Sequence, residues 1–184
     1  MAYLPAQYDL DTDKEKILAL EYKVNTHSDT SMWISPVGHR GTLSLFTKHH
    51  PLRAAFVADD KASILVKLDD TLLMEIMQDI EGKLTACSPD PSHTSPLINR
   101  DASGRYPPSL KLKTRYTQWV DANTNERLTV DEALSNRRVH ITSWCITVYR
   151  LNQFRGTWYY ALNLSSAKVS RAEDCSPTSG HQDF

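Results

Sequence analysis

The stretch Arg138-Val-His-Ile-Thr-Ser-Trp-Cys-Ile-Thr-Val-Tyr-Arg-Leu-Asn-Gln-Phe-Arg-Gly-Thr-Trp-Tyr-Tyr-Ala-Leu-Asn-Leu-Ser-Ser-Ala-Lys-Val169 decides the fold. Residues 138 to 152 and 156 to 169 are rich in β-branched and aromatic side chains, which fit a pleated, half-buried surface. Between them Asn152-Gln-Phe-Arg-Gly156 is a short loop containing glycine, and the whole reads as a β-hairpin. Working back along the chain, Ser109 to Asp121 reads as another strand. Ala62 to Leu68 alternates with a period of two, Ile64, Val66 and Leu68 on one face. Residues 30 to 37 and 41 to 47 read as strands around the turn Ser35-Pro-Val-Gly38, and Ile17 to Val24 as a first strand.

One segment changes period. Asp69-Asp70-Thr71 offers oxygens for the free amides at a helix start. Leu72, Leu73, Ile76, Met77, Ile80 and Leu84 then form a single apolar stripe, which predicts a helix packed on the core. Ala86 to Pro108, rich in Ser, Pro, Asp and Asn, reads as a long, mobile loop or insertion. Thr129-x-x-Glu132 has the pattern of a capping box opening a short helical turn. The tail from Ser170 has little to bury and is expected to be disordered. The sum is six or seven strands, a mid-chain helix and no βαβ alternation: a small barrel or sandwich carrying a helix. The expected domains are 1–169 and a flexible tail, 170–184.

Composition narrows the chemistry. The 184 residues carry a net charge of −1, so any anion-binding surface must come from local segregation of charge. No run is apolar and long enough to span a bilayer, and the first residues lack the pattern of a secretory signal. Cys87, Cys145 and Cys175 make neither a zinc motif nor a disulfide framework, which points to a reducing, intracellular compartment. Cys145, among apolar neighbours, reads as a buried thiol. Asp9-x-Asp11-x-Asp13 lacks the glycine and distal glutamate of a calcium loop. His49 and His50 are adjacent, which in a strand puts them on opposite faces and rules out joint chelation. There is no phosphate-cradling glycine loop, no nucleophile elbow and no paired-histidine metal helix, so neither an enzyme, a cofactor nor a metal is expected.

Basic and aromatic residues are better organised. Strand alternation through residues 109–121 puts Lys111, Lys113, Arg115, Thr117 and Trp119 on one face, and Leu110, Leu112, Thr114 and Tyr116 on the other. In the next strand Arg138, His140, Thr142, Trp144 and Arg150 share a parity, together with Ile146 and Val148. From Gly104 to Tyr160 there are nine basic residues against four acidic ones, a net of +5 in a chain of −1 overall. Cations that track phosphates beside rings that stack bases are what single-strand binders need. A solvated sheet face over core aromatics has the same composition.

The order of elements resembles the helix-destabilising single-stranded DNA-binding proteins of short-tailed phages and their relatives in large eukaryotic DNA viruses. The resemblance runs from about Gly41 to Phe184. It rests on Ile64-Leu-Val-Lys-Leu68, the helix Leu72 to Leu84, the polar insertion, Leu110-Lys-Leu-Lys-Thr114, the strand pair Ser143 to Tyr149 and Gly156 to Leu162, and the ending Asp183-Phe184. It implies a mainly β, OB-fold-like five-stranded barrel with extra strands, and a protein that coats single-stranded DNA in viral replication or recombination. The expected partners are single-stranded DNA, with RNA and self-association left open, and no membrane. Lys111, Lys113 and Arg115 would contact phosphates, and Arg150 and Arg155 would extend the basic track. Trp119, Trp144, Trp158 and Tyr160 are the stacking candidates. Trp158 and Tyr159 have opposite parity, so at most one of them faces the groove. Asp183 and Phe184 would recruit replication proteins in the infected cell. The tail departs from the family: residues 170–184 carry a net of only −2. The alternative is a β-sandwich structural or assembly protein of a virus, its aromatics in the core.

Overall fold

A computed structural model describes residues 6–135 and 139–170; the expectations for Arg138, Asp183, Phe184 and the tail beyond Ser170 lie outside the described residues. In chain order the elements are β1 (Ala6–Asp9), α1 (Lys14–Leu18), β2 (Tyr22–Ser28), β3 (Ser31–Pro36), β4 (Leu43–Thr47), β5 (Leu52–Val57), β6 (Ser63–Lys67), α2 (Thr71–Cys87), β7 (Ser109–Lys113), β8 (Gln118–Asp121), β9 (Arg127–Leu128), α3 (Val130–Ala133), β10 (His140–Phe154) and β11 (Thr157–Ser170). The described residues are mainly β, 46% strand and 18% helix.

Five strands form a ring. β5 pairs β6, β6 pairs β7, β7 pairs β11 in parallel, β11 pairs β10, and β10 returns to β5 through His140↔Arg53 and Ile141↔Leu52. In chain order among themselves these strands lie first, second, third, fifth, fourth around the ring, an OB-like Greek-key arrangement rather than two stacked sheets. The ring encloses Leu52, Ile64, Val66, Leu110, Leu112, Ile146, Val148, Leu162 and Leu164, all buried. β1, β2, β3 and β4 extend it: β10 pairs β4 through residues 144–148, then β3 through residues 150–152.

The helix stripe packs as its spacing predicts. Asp70 caps α2 by accepting from Leu73 N at 2.9 Å, and Leu73, Ile76, Met77, Ile80 and Leu84 are buried. Burial works to raise the Asp70 carboxyl, but hydrogen bonds from His50 and the helix amides outweigh it and hold the group below the usual carboxylate range. The capping box at Thr129 and Glu132 is present in both directions, 3.1 and 2.9 Å.

Three expectations need correction. Residues 17–24 are not one strand: the chain forms α1, turns, and starts β2 at Tyr22. A five-residue helix has little stability of its own. Here the Lys83 ammonium, far along the chain on α2, donates to the carbonyls of Leu18 and Leu20 at 2.7 Å each and ties the helix end down. Second, the strands read from the sequence leave out residues 52–57, where the structure has β5; a register shift between Ala54 and Phe56 interrupts its alternation. Third, Ala86 and Cys87 belong to the end of α2, and the loop that follows to Pro108 is anchored on the fold. It buries Leu97 and Ile98, pairs Thr94 with Trp158, and is pinned by Glu81, which accepts from Ile98 N at 2.8 Å and from Arg100 Nη2 at 2.8 Å. Replacing Glu81 with Ala strands the buried Ile98 amide, a loss of about 1–3 kcal/mol local to this segment. Proteolysis between residues 95 and 108 should accelerate at least fivefold, with the circular dichroism of the sheet unchanged.

Candidate nucleic-acid interface

The outer face of the ring is set by which side chains the core claims. In β7, Leu110 and Leu112 are fully buried, so Lys111 and Lys113 between them stand in solvent. The chain then leaves the strand. Thr117 N donates to Thr114 O in a turn, and β8 starts afresh at Gln118. That break resets the alternation. Arg115 is exposed on the turn beside Tyr116, which is 83% accessible, while Trp119 is buried at 3%. The row Lys111, Lys113, Arg115, Trp119 expected from one continuous strand therefore does not exist; its cations are outside and its indole is inside.

The same correction applies along the hairpin, through β-bulges. Ile141 pairs Val169 and Ser143 pairs Lys168, leaving Thr142 unpaired; Val148 pairs Leu162 and Arg150 pairs Ala161, leaving Tyr149 unpaired. Each extra residue flips the parity of the strand beyond it. The inward set is Ile141, Trp144, Ile146, Val148 and Leu151. Trp144 is 2% accessible, its Nε1 donating to His50 O at 2.6 Å. Arg150, which shares simple parity with Trp144, lies outside that set. On β11 the inward residues include Trp158, 5% accessible, and Tyr160, half-buried with its hydroxyl 3.3 Å from Thr85 Oγ1 of α2. Burial pushes the Tyr160 hydroxyl up. Trp119, Trp144 and Trp158 are core residues and Tyr160 is directed at a helix. None of the three tryptophans is the exposed stacking ring expected of it; Tyr160 is half-buried rather than exposed. Of the neighbours Trp158 and Tyr159, the outward one is Tyr159, 45% accessible.

What the fold brings together outside is a different set. Lys111, Lys113, Asn152, Phe154, Tyr159, Tyr160, Ala161 and Leu162 line one cleft of about 240 Å³ between β7 and the β10–β11 hairpin, so Tyr160 reaches it although its hydroxyl points to α2. The hairpin closes through Arg155 and Gly156, both at positive φ (50° and 82°), as a two-residue turn whose twist matches the strands. Gly fits that geometry; Arg155 tolerates it, and its guanidinium lies 5.1 Å from the exposed Phe154 ring. One strand further, Arg150 sits over Trp33 of β3 at 4.1 Å and over Tyr149 at 5.6 Å. His27 of β2 meets the edge of Trp33 at 5.4 Å. The Tyr149 bulge makes this possible, because Tyr149 and Arg150 both escape the core. Arg150 Nε is buried without a hydrogen-bond partner. Sequence patterning singles out Lys111, Lys113, Arg150 and Arg155, offers Phe154 on the hairpin loop and leaves Tyr159 open against Trp158; it misses Trp33 and Tyr149, placed outside by a neighbouring strand and a register break.

The cations of this face have no ion-pair partner among the described residues. Salt bridges among the described residues join Lys14 to Glu75, Lys61 to Asp131, Lys83 to Asp79, Arg100 to Glu81 and His50 to Asp11 and Asp70. None engages Lys111, Lys113, Arg115, Arg150 or Arg155. Exposed cations of one sign attract a polyanion, and accessible rings beside them offer flat apolar surface to bases.

Other candidate chemistry is spoken for. His50 is clamped between Asp11 and Asp70 at 2.9 and 2.7 Å, and His49 is exposed. Cys145 is half-buried rather than enclosed, and desolvation pushes its thiol up against a partial offset from Ser44. Among the described residues no group of three or more His, Cys, Asp or Glu could hold a metal ion, and no helix is long and apolar enough to cross a membrane.

No family model and no curated protein matches the sequence. Solved structures do. The single-stranded DNA-binding protein from bacteriophage Enc34 superposes with a TM-score of 0.50 and 13% identity, covering 89% of this chain and 96% of that one. Its C-terminal truncation gives 0.49 and 12%, covering 87% and 97%. The resemblance carried by the order of elements is thus met in three dimensions: this chain is similar in fold to a phage single-stranded DNA-binding protein.

Proposed function

We propose that the chain binds single-stranded DNA without sequence preference, along the outer face of β7, β11, β10 and β3. One observation carries this reading. Lys111 and Lys113 are exposed, have no carboxylate partner among the described residues, and share a cleft with the accessible rings of Phe154 and Tyr159. The cleft lies where OB folds bind strands, against the third strand of the ring and the loop between the fourth and fifth. The lysines and Arg150 neutralise phosphates, while Tyr159, Phe154 and Trp33 stack bases. The shared fold with a phage protein named for single-strand binding supports the same reading. The role is non-enzymatic and needs no cofactor: protecting and organising single strands during viral DNA replication or recombination inside the infected cell, with Asp183 and Phe184 recruiting partner proteins.

The test is a titration of fluorescein-labelled oligo-dT by the full chain at several salt concentrations. Counterion release makes the logarithm of affinity fall linearly with the logarithm of salt, about 0.7 per phosphate contact on a single strand. A flat salt response, or equal affinity for duplex, rejects the proposal. Intrinsic fluorescence gives a second readout. Trp119, Trp144 and Trp158 are buried, so quenching by added oligo-dT should come from Trp33. It should fall by more than half in Trp33→Phe.

A further inference from the structure

We infer that the cavity at the junction of β3, β4 and β10 is a second subsite, taking one nucleotide of the bound strand outside the five-strand ring. This rests on the single-strand binding proposed above and extends it. The cavity has a structural cause. β10 exchanges partners here: Val148 pairs Leu43 of β4, and Arg150 pairs Trp33 of β3. The two strands cannot occupy the same edge, so a gap of about 280 Å³ opens where they part.

Its walls are chemically mixed. Trp33 forms one side, and Ser35, Thr42, Ser44 and Thr147 contribute hydroxyls. Along their strands these residues alternate with the core residues Ile34, Leu43, Leu45, Ile146 and Val148, so they face away from the ring interior, with Ser35 and Ser44 themselves buried at the floor of the cavity. Ser44 and Thr147 already pair with each other at 3.0 Å, and Thr147 with Ser165 at 2.8 Å. Each hydroxyl keeps further acceptor capacity toward a ligand. Arg40, exposed on the loop between β3 and β4, lines the same cavity and has no salt-bridge partner among the described residues. A flat ring, a set of adaptable hydroxyls and a free guanidinium match a base with its phosphate. They do not match an apolar ligand.

The subsite joins the main cleft through Trp33. That ring lines the cavity and also carries the Arg150 guanidinium. From β3 to β7 the path crosses β10 and β11, three strand spacings or about 14 Å. A strand lying on Lys111 and Lys113 thus reaches Arg40 by running across the sheet past Arg150.

The experiment compares full-length wild type, Arg40→Ala, Arg40→Glu and Trp33→Leu by anisotropy with fluorescein-labelled oligo-dT across a salt series. Arg40 is exposed, so its variants report binding without a folding penalty; Trp33→Leu is paired with a melting curve. Arg40→Ala should weaken binding about fivefold at 0.1 M salt and flatten the salt slope by about 0.7, with Arg40→Glu weaker still. Trp33→Leu, at retained melting temperature, should weaken it roughly 5- to 150-fold. Wild-type affinity in both Arg40 variants, with Lys111→Ala impaired, removes the subsite and leaves single-strand binding standing. Failure of wild type to bind oligo-dT at any salt removes both.

Discussion

Alanine at Lys111 and Lys113 together should weaken oligo-dT binding about 25-fold at 0.1 M salt and reduce the salt slope by about 1.4. Each lysine stands for one phosphate contact, worth about 0.7 in slope on a single strand, hence roughly fivefold at a tenth molar. The loss should shrink as salt rises, because the same contacts are already screened there. Stability should stay within about 0.5 kcal/mol, since both side chains are exposed on the outer face of β7 and have no ion-pair partner among the described residues. An affinity loss that does not depend on salt would mean the lysines act through the fold. No loss would place the strand on another face.

The second large effect is on folding. Trp144→Ala should cost about 3–5 kcal/mol, a drop of about 6–20 °C in melting temperature for a domain of this size. The indole is 2% accessible and its Nε1 donates to His50 O, so the substitution leaves both a void and an unpaired carbonyl. Trp144→Phe refills most of the void and loses the hydrogen bond, at about 1–2 kcal/mol. Oligo-dT affinity of the folded Trp144→Phe protein should match wild type within twofold. A tenfold loss would show that Trp144 touches the ligand.

Those two results separate what is legible in the sequence from what is not. Elements specified by local signals can be read. The period-two run Ser63–Lys67 forms β6, the stripe from Leu73 to Leu84 forms the buried face of α2, and the caps at Asp70 and Thr129 are where their oxygens put them. The cations Lys111 and Lys113 are readable for the same reason, since they alternate with leucines inside one short strand. The rings are not. Alternation carries information only as far as the strand is unbroken, and three breaks intervene: the turn at Thr114–Thr117 and the unpaired residues Thr142 and Tyr149. After each break an uninterrupted count assigns side chains to the wrong side. Trp119 and Trp144 are misplaced in that way. Trp158 is misplaced by the choice between adjacent aromatics, which depends on register with β10. Trp33 gives no signal because its partner Arg150 lies more than a hundred residues away. The segment 86–108 is largely a loop, as its composition reads, but its anchoring is not legible there, because it comes from a carboxylate on the helix that precedes it.

The bulge at Tyr149 bears on what the scaffold can accommodate. Remove that residue and Val148, Arg150 and Leu151 fall back into plain in-out-in order, with every core position still filled. The inserted residue changes nothing the interior depends on and gives the exterior one more aromatic group beside Arg150. A scaffold that admits a single extra residue in this way can present a new outer contact without repacking its interior.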